Sequence, residues 1–171
     1  MSVMGQAIVV MGVSGAGKTT VGRIVAEALG GTFVDGDDLH SDEARAKMTA
    51  GVALTDADRW PWLDRIGAAL AEALSAGQTK VIACSALKRI YRDRLRAAAG
   101  PALRFVYLEA EPEMMRARVG QRPGHYMPAS LVDSQFAALE PPRDEGDVVT
   151  IRADADLATA IPPLAARLQT P

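Results

Sequence analysis

The stretch that decides the fold reads Gly12-Val13-Ser14-Gly15-Ala16-Gly17-Lys18-Thr19. It matches the pattern G-x-x-x-x-G-K-[ST], whose glycines let the backbone turn its N–H groups inward around a polyphosphate. The run before it, Ala7-Ile8-Val9-Val10-Met11, is β-branched and apolar, which is typical of a strand buried on both faces of a parallel sheet. Helical spacing follows, so the turn stands between a strand and a helix, as a phosphate-binding loop requires.

Beyond this turn, strand patterns alternate with helical patterns along the chain. Strands are predicted at residues 7–11, 32–35, 80–84, 103–108 and 148–151. Helices are predicted at 21–29, 42–50, 58–77, 87–99, 111–119, 130–139 and 157–168, with Asp58 as the cap of the third. This alternation predicts an α/β fold, a five-stranded parallel sheet with helices on both faces. No linker divides the sequence, so residues 1–171 are predicted to form one domain.

Composition excludes several classes of protein. The 171 residues carry a formal net charge of −2, which argues against non-specific nucleic-acid binding, and 49% of them are hydrophobic, enough for a core. Cys84 is the only cysteine, so no internal disulfide is expected. The N-terminus lacks the basic region and cleavage site of a secretory signal, and no run approaches a membrane span. We therefore expect no membrane contact and a cytoplasmic location.

The glycine-rich loop predicts the chemistry of nucleotide binding. Lys18 should reach the β- and γ-phosphates of a nucleotide, and the Thr19 hydroxyl should ligate Mg²⁺. The motif alone is shared by kinases, GTPase switches and motor ATPases. The sequence contains no asparagine and no T-K-x-D run, so the signature that reads guanine is missing and ATP is favoured. The chain is also short for a motor domain, which leaves a kinase as the preferred interpretation.

Acidic side chains follow the second predicted strand in the run Asp35-Gly36-Asp37-Asp38-Leu39-His40. Ligands of open α/β sheets bind at the carboxyl ends of the strands, so these carboxylates should face the phosphate loop. There, Asp35 could hold hydrated Mg²⁺ and Asp37 could accept the proton of an attacking hydroxyl. The alternative is that the acids only cap the next helix, as Ser41 or Asp42 also could. His40 could bind substrate or be an ordinary histidine, and no zinc site is expected.

Several blocks together resemble the gluconokinase family. The matching stretches are residues 12–20, 35–40, 47–48, 51–63, 83–92, 125–127 and 134–141. The D-R-x-P-W-L block at 58–63 and the C-S-A-L-K-x-x-Y-R block at 84–92 are far more specific than the phosphate loop. Ser41 and Ala44 depart from the family pattern, which often has proline and asparagine there. The resemblance implies transfer of the γ-phosphoryl group of ATP to the 6-hydroxyl of D-gluconate. It also implies a fold similar to the shikimate and nucleotide monophosphate kinases, with a homodimer as the usual assembly.

The resemblance also places a mobile lid at about residues 118–128. Within it, Arg118 resembles the residue that covers the adenine in this class of kinases. Arg122 resembles the residue that neutralises the transferring phosphoryl group, which makes it a catalytic candidate with Lys18 and Asp37. Thr20 and His125 lie in matching stretches, the first as an ATP contact and the second as a substrate contact. The alternative is a surface loop with solvated arginines.

A sugar acid needs a cation and several polar partners in its site. Arg59 can make a bidentate contact with a carboxylate, while Lys88 and Arg92 are predicted one turn apart on one helix face. Ser85 ends the third strand at the same edge. Trp60 and Trp62 should either pack the start of a helix or contact sugar. Two rival interpretations are kept: a shikimate-type or adenylylsulfate kinase, and a nucleotide-binding regulator without catalysis.

Overall fold

The computed structural model describes residues 5–120 and 129–169. The strands are β1 (Ala7–Met11), β2 (Thr32–Asp35), β3 (Lys80–Ala83), β4 (Leu103–Glu109) and β5 (Val148–Arg152). The helices are α1 (Lys18–Ala28), α2 (Asp42–Thr49), α3 (Asp56–Ser75), α4 (Arg89–Ala99), α5 (Pro112–Gly120), α6 (Ala129–Ala138) and α7 (Leu157–Gln169). A short 3₁₀ turn covers Gly36–Leu39.

The five strands form one parallel sheet in the order β2-β3-β1-β4-β5. The predicted five-stranded parallel sheet is therefore confirmed. Strand β1 is central and fully buried, because its neighbours pair with both of its edges and helices cover both of its faces. The order places the loops after β1, β2 and β3 side by side at the carboxyl edge of the sheet, where ligands of such folds bind.

The core lies in two layers, one on each face of the sheet. Ile8 and Val10 of β1 pack with residues of α1, α5, α6 and α7, whereas Ala7, Val9 and Met11 pack with α3 and α4. Alternate residues of a strand point to opposite faces, so a strand between two helical layers has to be apolar throughout. This explains why the sequence 7–11 contains no polar residue.

Helix α3 begins two residues earlier than the sequence pattern predicts. Thr55 is the N-cap: its hydroxyl accepts the backbone N–H of Asp58 at 3.1 Å, and the Asp58 carboxylate accepts the N–H of Thr55 at 2.9 Å. Asp58 is thus the second half of a capping box rather than the cap itself. Hydrogen bonds from Lys47 and Thr55 lower the pKa of Asp58 to about 2. Of the two candidates for the cap of α2, Ser41 and Asp42, the structure shows Ser41 in that role.

None of the helices in the described part of the chain is long and apolar enough to cross a membrane.

Helix α1 also begins earlier than predicted, at Lys18, so Lys18 and Thr19 lie in its first turn. Gly17 precedes them with φ 101°, in the left-handed region that side chains rarely adopt. The loop therefore runs into the helix without a break, and the free N–H groups of the first turn face the site.

Candidate active site

The Lys18 side chain folds back onto its own loop. Its Nζ donates to the carbonyl oxygens of Gly12 and Val13 at 2.9 and 3.1 Å. Burial lowers the pKa of Lys18, and the charges of Asp37, Cys84 and Asp35 only partly oppose this. The Lys18 ammonium group is therefore partly removed from water, so its charge acts more strongly on an incoming phosphate.

The acidic turn is held against strand β3 by a close backbone contact. A Cβ atom on Gly36 would lie 2.3 Å from the carbonyl oxygen of Ala83, so only glycine fits there. Asp35 begins the turn, and its Oδ1 accepts the backbone N–H of Asp37 at 3.0 Å. Asp35 therefore caps this short turn and not the next helix, α2, which Ser41 caps. In the described part of the chain the second oxygen of the Asp35 carboxylate has no hydrogen-bond partner, so it is available to another ligand.

The Asp37 carboxylate faces the phosphate loop from this turn. Its side chain is 84% exposed, yet the protein around it removes part of its hydration. That partial burial raises the pKa of Asp37, the Asp35 carboxylate raises it further, and Lys18 and His40 act in the opposite direction. Lys18 follows the end of β1, and Asp35 and Asp37 lie at and just after the end of β2, so all three stand at the carboxyl edge of the sheet, where their charges act on one another.

His40 closes the inner side of the acidic turn. Its ring stacks on Trp62 with centroids 4.2 Å apart, and the Trp62 indole donates to the carbonyl oxygen of Gly36 at 2.7 Å. Nε2 of His40 lies 4.0 Å from Oδ1 of Asp37, too far for a hydrogen bond. Nδ1 is buried and has no partner within the described residues. Burial lowers the pKa of His40; the Asp37 charge opposes this shift and the Arg59 charge adds to it.

A second polar cluster lies between the starts of α3 and α4. Lys88 donates to Asp56 at 3.2 Å, and the Tyr91 hydroxyl donates to the same carboxylate. Those two bonds lower the pKa of Asp56. The guanidinium of Arg59 lies 5.6 Å from the centre of the Tyr91 ring, and its Nη1 donates to the Leu54 carbonyl at 2.9 Å. In residues 5–120 and 129–169 its Nε and Nη2 have no hydrogen-bond partner, so this edge of the fork is open.

The two tryptophans of the D-R-x-P-W-L block have structural partners. Trp62 is buried and makes the hydrogen bond to Gly36. Trp60 meets the Tyr91 ring edge-on at 5.8 Å, and the Arg94 guanidinium lies 4.9 Å from the Trp60 ring. Packing of the start of α3 therefore accounts for both rings.

The sequence predicts Lys88 and Arg92 on one face of a helix, but the two side chains point to different places. Lys88 is the N-cap of α4 and reaches Asp56 near the surface, whereas Arg92 is fully buried. The guanidinium of Arg92 donates from Nε and Nη2 to the Glu145 carboxylate, and from Nη1 and Nη2 to the carbonyl oxygens of Ala86, Leu87 and Glu140. Every N–H of the group is used, so none remains for a substrate. We therefore assign Arg92 to the support of the β3–α4 loop.

Loss of the buried ion pair between Arg92 and Glu145 should have a large effect on stability. Arg92→Met should lower the free energy of unfolding by about 3–5 kcal/mol, because it leaves the Glu145 carboxylate buried with Arg96 alone. The matched control is Arg94→Met, which removes a solvent-exposed pair with Asp64 and should cost about 1 kcal/mol or less. Urea unfolding of the two variants measures the difference. Equal losses would show that burial of the Arg92 pair carries no special weight.

Of the remaining predicted site residues, some contact the phosphate loop and others lie outside the described part of the chain. Ser85 accepts the backbone N–H of Gly12 at 3.2 Å through its carbonyl, which joins the ends of β1 and β3. Arg118 donates to the carbonyl oxygens of Gly15 at 3.2 Å and Ala153 at 2.9 Å, so it bridges the phosphate loop and the end of β5. Arg122, His125 and most of the predicted lid lie outside the described residues. Thr19 is half-buried and Thr20 exposed.

Three contacts were missed by sequence reasoning. Asp56 and Tyr91 lie within the family blocks but have no role in the sequence interpretation. Asp56 accepts hydrogen bonds from Lys88 and Tyr91, and the Lys88 ammonium lies 5.6 Å from the centre of the Tyr91 ring. The spacing of Tyr91 three residues after Lys88 on a helix could have indicated the pair. Gln135 also lies in a family block, and its amide binds Ser14 of the phosphate loop. No local pattern indicates that contact, because the two residues are 121 positions apart.

Comparison with known proteins identifies the family. A family model described as an AAA domain matches residues 8–142. The thermosensitive gluconokinase of Escherichia coli (strain K12) is 44% identical over 155 residues, which cover 90% of this chain and 82% of that protein. This chain belongs to the gluconokinase family. The crystal structure of a gluconokinase from Sinorhizobium meliloti 1021 is 45% identical, with a TM-score of 0.85, and the match covers 98% of this chain and 93% of that one.

The resemblance deduced from the sequence blocks is thereby confirmed, together with the prediction of an ATP-dependent carbohydrate kinase. A more distant structure, the APS kinase CysC of Mycobacterium tuberculosis, has a TM-score of 0.68 at 19% identity over 98% of this chain and 99% of that one. At that identity the similarity extends to the fold alone. The sequence identities therefore favour the gluconokinase family over the rival adenylylsulfate kinase.

Proposed function

We propose that the protein transfers the γ-phosphoryl group of ATP to the 6-hydroxyl of D-gluconate, giving 6-phospho-D-gluconate and ADP. The observation that carries this proposal is the arrangement at the carboxyl edge of the sheet. That edge carries a phosphate loop with a partly buried lysine, an exposed carboxylate at Asp37 and the open guanidinium edge of Arg59. The relatives named gluconokinase support the same reaction.

ATP would lie in the loop from Gly12 to Thr20, with Arg118 beside its adenine. The half-buried Thr19 hydroxyl and the unused oxygen of Asp35 suit a hydrated Mg²⁺, which takes one or two protein ligands plus phosphate oxygens. The described residues hold no group of three or more His, Cys, Asp or Glu side chains that could cage a metal, and Mg²⁺ of this kind needs none. Bound there, Mg²⁺ would neutralise charge on the phosphates.

Asp37 would accept the proton of the 6-hydroxyl as the phosphoryl group transfers. Its raised pKa makes it a better base than an ordinary aspartate. Lys18 would balance the charge that develops on the transferred group. We further propose that Arg122 assists this step when the segment 118–128 covers the site. Exclusion of water would then favour transfer to the sugar acid over hydrolysis.

The sugar acid would contact residues on both sides of the acidic turn. We propose that the open edge of Arg59 binds the carboxylate, with Lys88 as a second cation. His40 is a further proposed substrate contact, through Nε2, which lies 4.0 Å from Oδ1 of Asp37. Ser85 and His125 are proposed as further contacts. A cytoplasmic location and a homodimer are proposed on the family resemblance.

The test of this proposal is substrate discrimination by Arg59. Arg59→Ala should lower kcat/KM for gluconate by about 30- to several-thousand-fold, which corresponds to ~2–5 kcal/mol for loss of one partner of a desolvated charge pair. Arg59→Lys should not restore it, because an ammonium group cannot reproduce the guanidinium fork. Wild type should discriminate against glucose by a comparable factor, since glucose lacks the carboxylate.

A coupled assay with gluconate, glucose, shikimate and glycerate, run on wild type and both variants, gives these values. Arg94→Ala is the control, because it removes an exposed guanidinium whose ion-pair partner is on the surface. A loss below about threefold for Arg59→Ala, or equal losses for gluconate and glucose, would make Arg59 a helix-start residue. ADP release with shikimate in preference to gluconate would establish the rival kinase, and binding of ATP without turnover would establish the regulator.

A further inference from the structure

Gln135 lies on the apolar face of helix α6. Val132, three residues before it, is buried in the core, and Leu139, four residues after it, packs against the same core. Residues at these spacings share one side of a helix. A polar side chain on such a side is unfavourable unless it finds hydrogen-bond partners. Gln135 finds both partners in a single residue of the phosphate loop, Ser14.

The geometry of this contact fixes which atom donates. The backbone N–H of Ser14 can only donate, so it must face the amide oxygen of Gln135, at 2.6 Å. The amide nitrogen of Gln135 then donates to Oγ of Ser14 at 2.8 Å. Because Oγ accepts this bond, the proton of the Ser14 hydroxyl cannot point toward Gln135. It is turned away from helix α6 and is free to donate to another acceptor.

The position of Lys18 indicates what that acceptor is. Its Nζ rests on the carbonyl oxygens of Gly12 and Val13, the two residues that precede Ser14. In this loop motif the lysine contacts the β- and γ-phosphates. The terminal phosphate should therefore lie at the Gly12–Ser14 end of the loop, within reach of the Ser14 hydroxyl.

We propose that Gln135 is a positioning residue for phosphoryl transfer, which turns the Ser14 hydroxyl into a hydrogen-bond donor to the terminal phosphate of the nucleotide. The proposal rests on the proposed function in that ATP is taken as the donor. The proposal gives helix α6 a role in the reaction. None of the groups that α6 contributes to this role touches the reacting atoms. Gln135 acts only through Ser14.

Helix α6 has anchoring contacts that do not involve Gln135. At its middle, Nε of Arg116 in α5 donates to the Asp133 carboxylate at 3.0 Å. Just after its end, the Glu140 carboxylate accepts the backbone N–H of Arg89 at 2.7 Å, and the Glu140 N–H donates to the Leu87 carbonyl at 2.8 Å. Replacement of Gln135 should therefore leave the helix in place, so that loss of the Ser14 contact can be measured by itself.

The experiment compares the binding of two nucleotides that differ in the terminal phosphate. Calorimetric titration with the imido analogue of ATP and with ADP, both with Mg²⁺, is done on wild type, Gln135→Met, Gln135→Glu and Ser14→Ala. Ser134→Ala, at an exposed position on the same helix, is the control. Ser14→Ala should weaken the ATP analogue by about tenfold or more, as expected for a lost hydrogen bond to a charged group. Gln135→Met should weaken it less, by about three- to tenfold, because the Ser14 hydroxyl remains but is no longer oriented. The Kd for ADP should change less than about threefold.

Gln135→Glu makes the test independent of side-chain size. The glutamate still accepts the Ser14 N–H, but its second oxygen accepts the Ser14 hydroxyl proton and turns it away from the phosphate. The selective loss should therefore be at least as large as in Gln135→Met. In a Ser14→Ala background, Gln135→Met should add less than about threefold, because the hydroxyl on which it acts is gone.

Each result decides the proposal. Loss confined to the ATP analogue supports it, and Gln135→Glu gives the answer if Gln135→Met fails to fold. Equal weakening of both nucleotides would mean that Gln135 only shapes the loop, and unchanged binding would mean that it does nothing for the nucleotide. Either result overturns the proposal. A wild type that binds the analogue without phosphorylating gluconate would refute the proposed function, while the analogue-to-ADP ratio would still decide the role of Gln135.

Discussion

Asp37→Asn should lower turnover of gluconate by about 10²–10⁴-fold, because asparagine keeps the shape of the side chain but cannot accept a proton. Binding of MgATP should change little, since the phosphate loop is untouched. Asp38→Asn is the matched control: it removes the same charge one residue away, at an exposed position. Single-turnover kinetics of both variants isolate the chemical step. If Asp37→Asn and Asp38→Asn lose equal activity, the effect is one of overall charge and Asp37 is not the base.

The roles of the two aspartates can be separated with metal. Asp35→Asn should be partly rescued by raised Mg²⁺, whereas Asp37→Asn should not. Rescue of Asp37→Asn together with an inactive Asp35→Asn would reverse the two roles. The pH profile gives a further check, because the carboxylate is the active form and the pKa of Asp37 is raised. Activity should therefore fall with decreasing pH at a higher value than about 3.9, that of an ordinary aspartate.

Lys18→Ala should slow the chemical step by about 10²–10³-fold, because it removes a preorganised positive charge from the transferring phosphoryl group. The partial removal of Lys18 from water, which lowers its pKa, also strengthens its interaction with the phosphate. Lys80→Ala serves as the control, since it removes a lysine at the opposite end of the sheet, where β3 begins.

The Lys18 measurement needs a check of folding, because Nζ also bonds two carbonyl oxygens of the loop. Circular dichroism and urea unfolding provide it. A folded Lys18→Ala enzyme with nearly normal turnover would exclude Lys18 from stabilising the transition state. A loss expressed only as a raised KM for ATP would confine Lys18 to binding the nucleotide before transfer.

The parts of the site that the sequence determines are those built from neighbouring residues. The phosphate loop is one continuous segment, and its glycines and the strand and helix around it are all local, so its place could be predicted from residues 7–29. The acidic turn is also local, because Asp35 and Asp37 follow the end of β2 directly. Alternation of strands and helices then restricted the sheet to a parallel one.

Tertiary structure decides which long side chains turn toward the site and which turn into the core. Lys88 and Arg92 carry the same charge one turn apart, yet Arg92 is buried because Glu145, from a segment 53 residues away, neutralises it. Gln135 looks like any polar residue of a surface helix until α6 is packed on the phosphate loop. Such partners are fixed by how distant segments pack, and pairing of a charge or an amide with a distant group leaves no periodic trace in the sequence.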